Sequence, residues 1–246
     1  MTLFGMLRQT KSDGSSRLSS KMIKSLLLAL VLSLASMAFS GPGPVICIDP
    51  GHPSENGVGT RGKKITEVQA AWKVALILKG LLEQAGFKVV MTKSSENQHV
   101  TNKARAETAN RAHAALMVRL HCDAAADSGI ASYYPATKGT VKGVSGPSDE
   151  VIASSRKAGK AFHAALIQAL AGALKDRGLK TDRQTAIGGK QGALTGSIYS
   201  KVPVILVEMC VLQSNHDEAF ISTAAGQRKL AQAILEGVRA AVASDH

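Results

Sequence analysis

Four short apolar runs set the plan of this chain, each stopped by turn-forming or charged residues. Residues 45–48, Val-Ile-Cys-Ile, are apolar at both parities of the alternation. That pattern marks a strand buried on both faces, as in a parallel sheet. Residues 87–92, 116–121 and 203–208 repeat it, and residues 130–134 read as an edge strand. Between the first two runs, Thr66-Glu67-Val68-Gln69 has the capping-box spacing, with Thr66 as N-cap. Trp72, Ala75, Leu76, Leu78, Leu81 and Leu82 then recur at helical spacing until Gly86.

The same periodicity predicts a short helix over 103–112, a long one from 147 to about 175, and a C-terminal one carrying Leu230, Ile234, Leu235 and Val238. Ser214, Asn215 and Asp217 can cap a short turn before the last helix. Residues 137–148 and 178–200 are polar, Gly-rich and aperiodic, so both read as exposed loop, the second with the option of lining a groove. Strands alternating with helices predict a single α/β domain: a mainly parallel twisted sheet with helices on both faces.

The N-terminal pattern differs. Lys21 and Lys24 precede the apolar residues 26–32, and small residues follow around Ala38 and Ser40, the layout of an export signal. The run is too short for a membrane span. The expected division is an extension plus signal over 1–40 and a catalytic domain over 41–246, with Met1 or Met22 as the start. An exported protein in the periplasm, outside the cell or in the wall follows, with no permanent membrane span after cleavage.

The formal net charge is +12; the first 40 residues hold +4 of it, leaving +8 for the remainder. This favours an anionic partner such as a charged cell-wall polymer, and a solvated basic surface accounts for it equally well. Aromatics make up only 4% of the chain, and no nucleic-acid-binding motif is present, so no nucleic-acid partner is expected. Three cysteines, Cys47, Cys122 and Cys210, form no paired spacing and fall in or beside strands, where they read as core residues.

Candidate chemistry lies at the strand ends. His52 follows the first strand after a Pro-Gly turn, and His121 ends the third. Glu67 opens the first helix at that same sheet edge, where open α/β sheets place their ligands. Glu208 ends the last strand, where a bare carboxylate needs a partner or a role. Two histidines and a glutamate, each on a different element, leave a fourth position for water and make a catalytic zinc set. His52, Glu67 and His121 are therefore assigned to one Zn2+ per chain, and Glu208 to proton transfer. His163, inside the long helix, reads as a packed side chain.

Taken together, the segments Ile48-Asp49-Pro50-Gly51-His52, Thr66-Glu67, Arg105 with Ala109-Asn110, Leu120-His121-Cys122-Asp123, and Val207-Glu208 with Ser214-Asn215 resemble the zinc-dependent N-acetylmuramoyl-L-alanine amidases over residues 44–243. The resemblance implies two zinc histidines at His52 and His121, a zinc glutamate at Glu67 and a catalytic glutamate at Glu208. It also implies peptidoglycan as substrate, cut between N-acetylmuramic acid and L-alanine, and a phosphorylase/hydrolase-like fold. Departures stand beside the site. Pro53-Ser54 replaces glycines after the first histidine, Arg119-Leu120-His121-Cys122-Asp123 replaces Ser-Ile-His-Ala-Asn, and Met209-Cys210-Val211 follows Glu208. In some members of that family a helix blocks the zinc until an activator protein withdraws it. Residues 137–200 are the candidate segment here, although the main helix there reads as core cover. Two alternatives stay open: a zinc peptidase or amidase cutting another peptide, with Asp49 and Asp123 as candidate ligands of a second ion, and a non-catalytic wall-binding module.

Overall fold

A computed structural model describes residues 43–244; the export signal and the boundary at residue 40 lie outside them. Strand β1 (Val45–Pro50) leads to helix α1 (Glu67–Gln84), then β2 (Lys88–Met91), α2 (Asn102–Arg111) and β3 (Leu116–Asp123). Next come β4 (Ile130–Tyr134), the pair β5 (Gly139–Val141) and β6 (Val144–Gly146), and α3 (Asp149–Leu170). Strand β7 (Asp176–Thr181), the short helices α4 (Ala186–Gln191) and α5 (Thr195–Ile198), β8 (Val204–Val211), α6 (Asn215–Ile221) and α7 (Ala224–Ala243) complete the domain.

Six strands form one sheet in the order β2-β1-β3-β8-β4-β7, parallel throughout except for the antiparallel pairing of β4 with β8. Alternation along each strand divides the core. Ile46, Ile48, Leu116, Val118, Leu120, Ile205 and Val207 pack with α1, α3 and α7 on one face. Cys47, Met117 and Val204 point to the other face, against Ala109 of α2. Further along that second face the same parity delivers Asp49, Arg119, His121, Leu206 and Glu208. The site therefore occupies the carboxyl-terminal half of the face that the larger core leaves free.

Several local expectations are corrected. Residues 130–134 are not an edge strand: β7 covers β4, and β7 is the edge. Residues 137–148 contain the β5–β6 hairpin rather than loop alone. Residues 178–200 are not loop but the end of β7, a 3-10 turn and helices α4 and α5. The long helix stops at Leu170, where Ala171 takes a left-handed conformation (φ 51°), five residues short of the predicted end. In α1, Leu76 is exposed and Trp72 only partly buried, while Ala70, Ala71, Val74, Ala75, Leu78 and Leu82 form the core face.

Candidate metal centre and groove

Helix α1 begins where the sequence places it. The Thr66 hydroxyl accepts from Gln69 N, and the Gln69 side chain accepts from Thr66 N. Glu67 is thereby held in the first helical turn and is buried. Its Oε2 accepts from Thr60 N at 2.8 Å and its Oε1 from Cys122 N at 3.1 Å. His121 Nδ1 lies 2.9 Å from Glu67 Oε1, and His52 Nε2 lies 3.5 Å from the same oxygen. The two imidazoles stand nearly perpendicular, 5.1 Å between centroids. One ligand atom from each of His52, Glu67 and His121 lies within 4.8 Å of the others.

The loop around His52 is fixed from below by buried cations. Arg105, almost completely buried, donates to the carbonyl of Pro50 at 2.6 Å and to that of Pro53 at 3.0 Å. Lys93 Nζ donates to the His52 carbonyl itself at 2.6 Å. Asp49 anchors the set: Oδ1 accepts from Arg105 Nη1 and Thr92 Oγ1, and Oδ2 from Arg119 Nε at 2.8 Å. Burial alone would raise the Asp49 carboxyl, but the adjacent guanidinium groups of Arg105 and Arg119 and the Thr92 hydroxyl hold it well below the usual carboxylate range. Burial pushes Lys93 down to about 8, with Arg105 acting in the same direction.

His52 has a positive φ (50°), and its Nδ1 lies 3.0 Å from the Gly57 carbonyl. That contact selects the tautomer in which Nδ1 carries the proton and Nε2 faces the cluster. Close packing requires two glycines. A Cβ on Gly51 would stand 2.6 Å from the His121 ring, and one on Gly59 (φ 80°) would stand 2.7 Å from Glu67 Oε2 and 2.9 Å from His52.

Electrostatics separate the two glutamates. Burial opposes ionisation of Glu67, yet the hydrogen bond from His121 and the charges of His121 and His52 lower its pKa. Burial lowers His121 in turn, more than Glu67 raises it. Glu208, opposite His121 in the β3–β8 register, is raised well above an ordinary carboxyl by burial, then by the charges of Glu67 and Asp123. His121 Nε2 and Glu208 Oε2 are both buried and lack a hydrogen-bond partner among the described residues. Two nitrogens and one carboxylate fit zinc, and orphaned polar atoms at their side are what a site built around an ion and a water would leave.

A groove of about 280 Å³ joins these groups; His52, His121 and Glu208 line it together with Asn102, Arg119 and Thr195. Helices α4 and α5 supply the opposite wall through Ala186, Ile187 and Leu194 as well. The wall falls in the stretch 178–200 that the sequence left open as a groove lining, whereas the supporting Lys93 carried no signal in the sequence. Asp49 and Asp123, the candidate ligands of a second ion, are instead committed to arginines, Asp123 to Arg177 at 2.8 Å. His163 is buried between Ser132 and Asp176, as a packed side chain.

The protein is thus an open, mainly parallel α/β protein that gathers two histidines and a carboxylate, a set able to hold a metal ion, at the carboxyl edge of its strands. The family model for N-acetylmuramoyl-L-alanine amidases matches residues 46–240, and the chain belongs to that family. It is 27% identical to the N-acetylmuramoyl-L-alanine amidase AmiC of Escherichia coli O6:H1 (strain CFT073), a match covering 82% of this chain and 56% of that protein. The chain thus spans about half the length of the curated relative it matches. The fold is shared with AmiC2 of Nostoc punctiforme, TM-score 0.62 at 22% identity over 81% of this chain and 97% of that one. It is shared also with the CwlD amidase of Clostridioides difficile, solved in complex with the GerS lipoprotein, TM-score 0.58 at 16% identity over 82% and 99% of the two chains. Among the described residues, no helix is long and apolar enough to cross a membrane.

Proposed function

We propose that residues 41–246 form a catalytic domain that hydrolyses the amide bond between N-acetylmuramic acid and L-alanine in peptidoglycan. One zinc ion is held by His52, Glu67 and His121, and Glu208 moves the proton. The observation that carries this reading is the convergence of the three ligand atoms within 4.8 Å of one another, with Glu208 register-paired to His121, in a chain of this family.

A zinc ion at this position supplies Lewis acidity toward a water and a substrate carbonyl. The protein's own groups do the rest. Gly57 fixes the His52 tautomer through Nδ1, and Thr60 and Cys122 N–H groups hold both Glu67 oxygens. Glu208, whose carboxyl is raised well above its ordinary value by burial and then by the charges of Glu67 and Asp123, would act in its ionised form. Its carboxylate then accepts the proton of the attacking water and returns it to the departing L-alanine amine. The groove between β8 and helices α4 and α5 receives the muropeptide, and residues 21–40 direct the chain out of the cell to the wall. That CwlD was solved in complex with a lipoprotein supports a protein partner for this chain as well, and an activator is the partner proposed.

The test is incubation of the zinc-loaded protein with purified peptidoglycan, followed by mass spectrometry of released material. Stem peptides with a free L-alanine amino terminus are expected. Cleavage inside the stem peptide would replace this reading with a peptidase, and wall binding with no product, even when wall lipoproteins are added, would make the chain a binding module.

A further inference from the structure

Two of the three cysteines lie next to each other. Strands β3 and β8 are in register at His121↔Glu208 and again at Asp123↔Val211, so two steps on β3 match three on β8. That bulge leaves Cys122 facing the stretch Met209-Cys210. Cys122 and Cys210 are both buried in the same core, with Met209 and Leu212. Cys47 belongs to the cluster on the opposite face of the sheet and cannot reach them. Neither residue is among the groups assigned to the metal or to proton transfer.

We infer that Cys122 and Cys210 are an oxidisable pair that closes as a disulfide between β3 and β8. Both thiols give up their protons and together two electrons. The sulfur–sulfur bond forms while a low-molecular-weight disulfide such as oxidised glutathione is reduced to two thiols. The cross-link ties the strand position after His121 to the position two beyond Glu208. The Cys122 amide also donates to Glu67, so the bond secures the elements that carry all the groups of the site except His52. It closes a long loop of chain, the case in which a cross-link restricts the unfolded state most. Cys47 remains a thiol and serves as internal reference.

The experiment uses the full chain in two arms. In one the native protein is incubated with excess oxidised glutathione; in the other it is refolded from denaturant in the same buffer, because both thiols are buried. Each sample is quenched in acid, denatured, alkylated with iodoacetamide and read by intact and peptide mass spectrometry. One adduct, on Cys47, together with a peptide joining Cys122 to Cys210 in either arm, is the expected result. Three adducts in both arms, glutathione left attached to Cys122 or Cys210, or a bond that includes Cys47 would overturn the inference. The reading needs no substitution, so no misfolded variant can obscure it, and it holds or fails whether or not the protein cuts peptidoglycan.

Discussion

His121 and Glu208 are register partners on the neighbouring parallel strands β3 and β8, and each keeps one buried polar atom, Nε2 and Oε2, without a partner among the described residues. Unpaired buried groups are costly, so a side-by-side pair of them marks a place built for something that arrives from outside. If Glu208 moves the proton, Glu208→Gln keeps the shape and removes the base. Turnover of peptidoglycan should fall by roughly 10²–10⁴-fold, the range for losing a general acid–base group. Metal content by elemental analysis and the unfolding midpoint should stay near wild type. A variant that lost zinc along with activity would place Glu208 among the ligands instead.

Removal of the ion should silence the protein reversibly. Dialysis against a chelator is expected to abolish activity, and stoichiometric zinc to restore it, with one ion per chain. A ligand that binds only the folded state stabilises it by about 2.7 kcal/mol at a free concentration of 100 Kd. Zinc should therefore raise the thermal midpoint of wild type and leave that of His121→Ala unchanged. An equal rise in both would show that the ion binds elsewhere.

The parts of this architecture that the sequence made legible share a local cause. Ile46, Ile48, Val118 and Val207 lie in continuous apolar runs ended by Pro-Gly or by a charged residue, and the Thr66–Gln69 capping box is complete within four residues. His52, Glu67, His121 and Glu208 were visible because each stands at the end of such an element. Strand β7, Asp-Arg-Gly-Leu-Lys-Thr, was not: it is a polar edge strand held by backbone pairing to β4, and it leaves no alternation to read. Missing it made β4 look like the edge. Arg119 and Lys93 resemble solvent-facing charges until Asp49 and the His52 carbonyl are brought to them from distant elements. The groove wall at Ala186, Ile187 and Leu194 has no chemistry in its residue types; only its placement beside Glu208 gives it meaning.

Close packing behind the ligands predicts an effect with no change in charge. Gly51→Ala puts a methyl group 2.6 Å from the His121 ring, closer than real Cβ contacts allow, so the imidazole must shift. Displacing a ligand by its surroundings typically costs ~10–100-fold in metal affinity or activity. Zinc affinity measured by competition with a chromogenic chelator should weaken by that order. Gly80→Ala, where nothing lies within 4 Å of the new Cβ, should match wild type. Equal affinities for all three proteins would mean that His121 does not bind the ion in this pose.

The Asp49 cluster sets the acid limit of the fold. Arg105 and Arg119 hold the Asp49 carboxyl well below its value of about 3.9 in an unfolded chain. As pH falls, the unfolded state therefore takes up this proton first. Stability rises with pH wherever the unfolded state binds more protons, so the contribution of Asp49 is complete above about pH 5 and drains away through pH 4 and below. Urea midpoints measured from pH 6 to pH 3 should fall with decreasing pH. In Asp49→Asn the fall should be shallower, starting from a stability at pH 6 already reduced by roughly 3–5 kcal/mol, because two buried guanidinium groups lose their counter-charge. Should Asp49→Asn prove too unstable to titrate, Thr92→Val removes one hydrogen bond to the same carboxylate, brings its folded-state pKa closer to the unfolded value, and should make the fall between pH 6 and pH 3 shallower than in wild type. An acid limb of identical position and slope in wild type and both variants would show that Asp49 is not the group that titrates, and the anchor under His52 would have to be sought elsewhere.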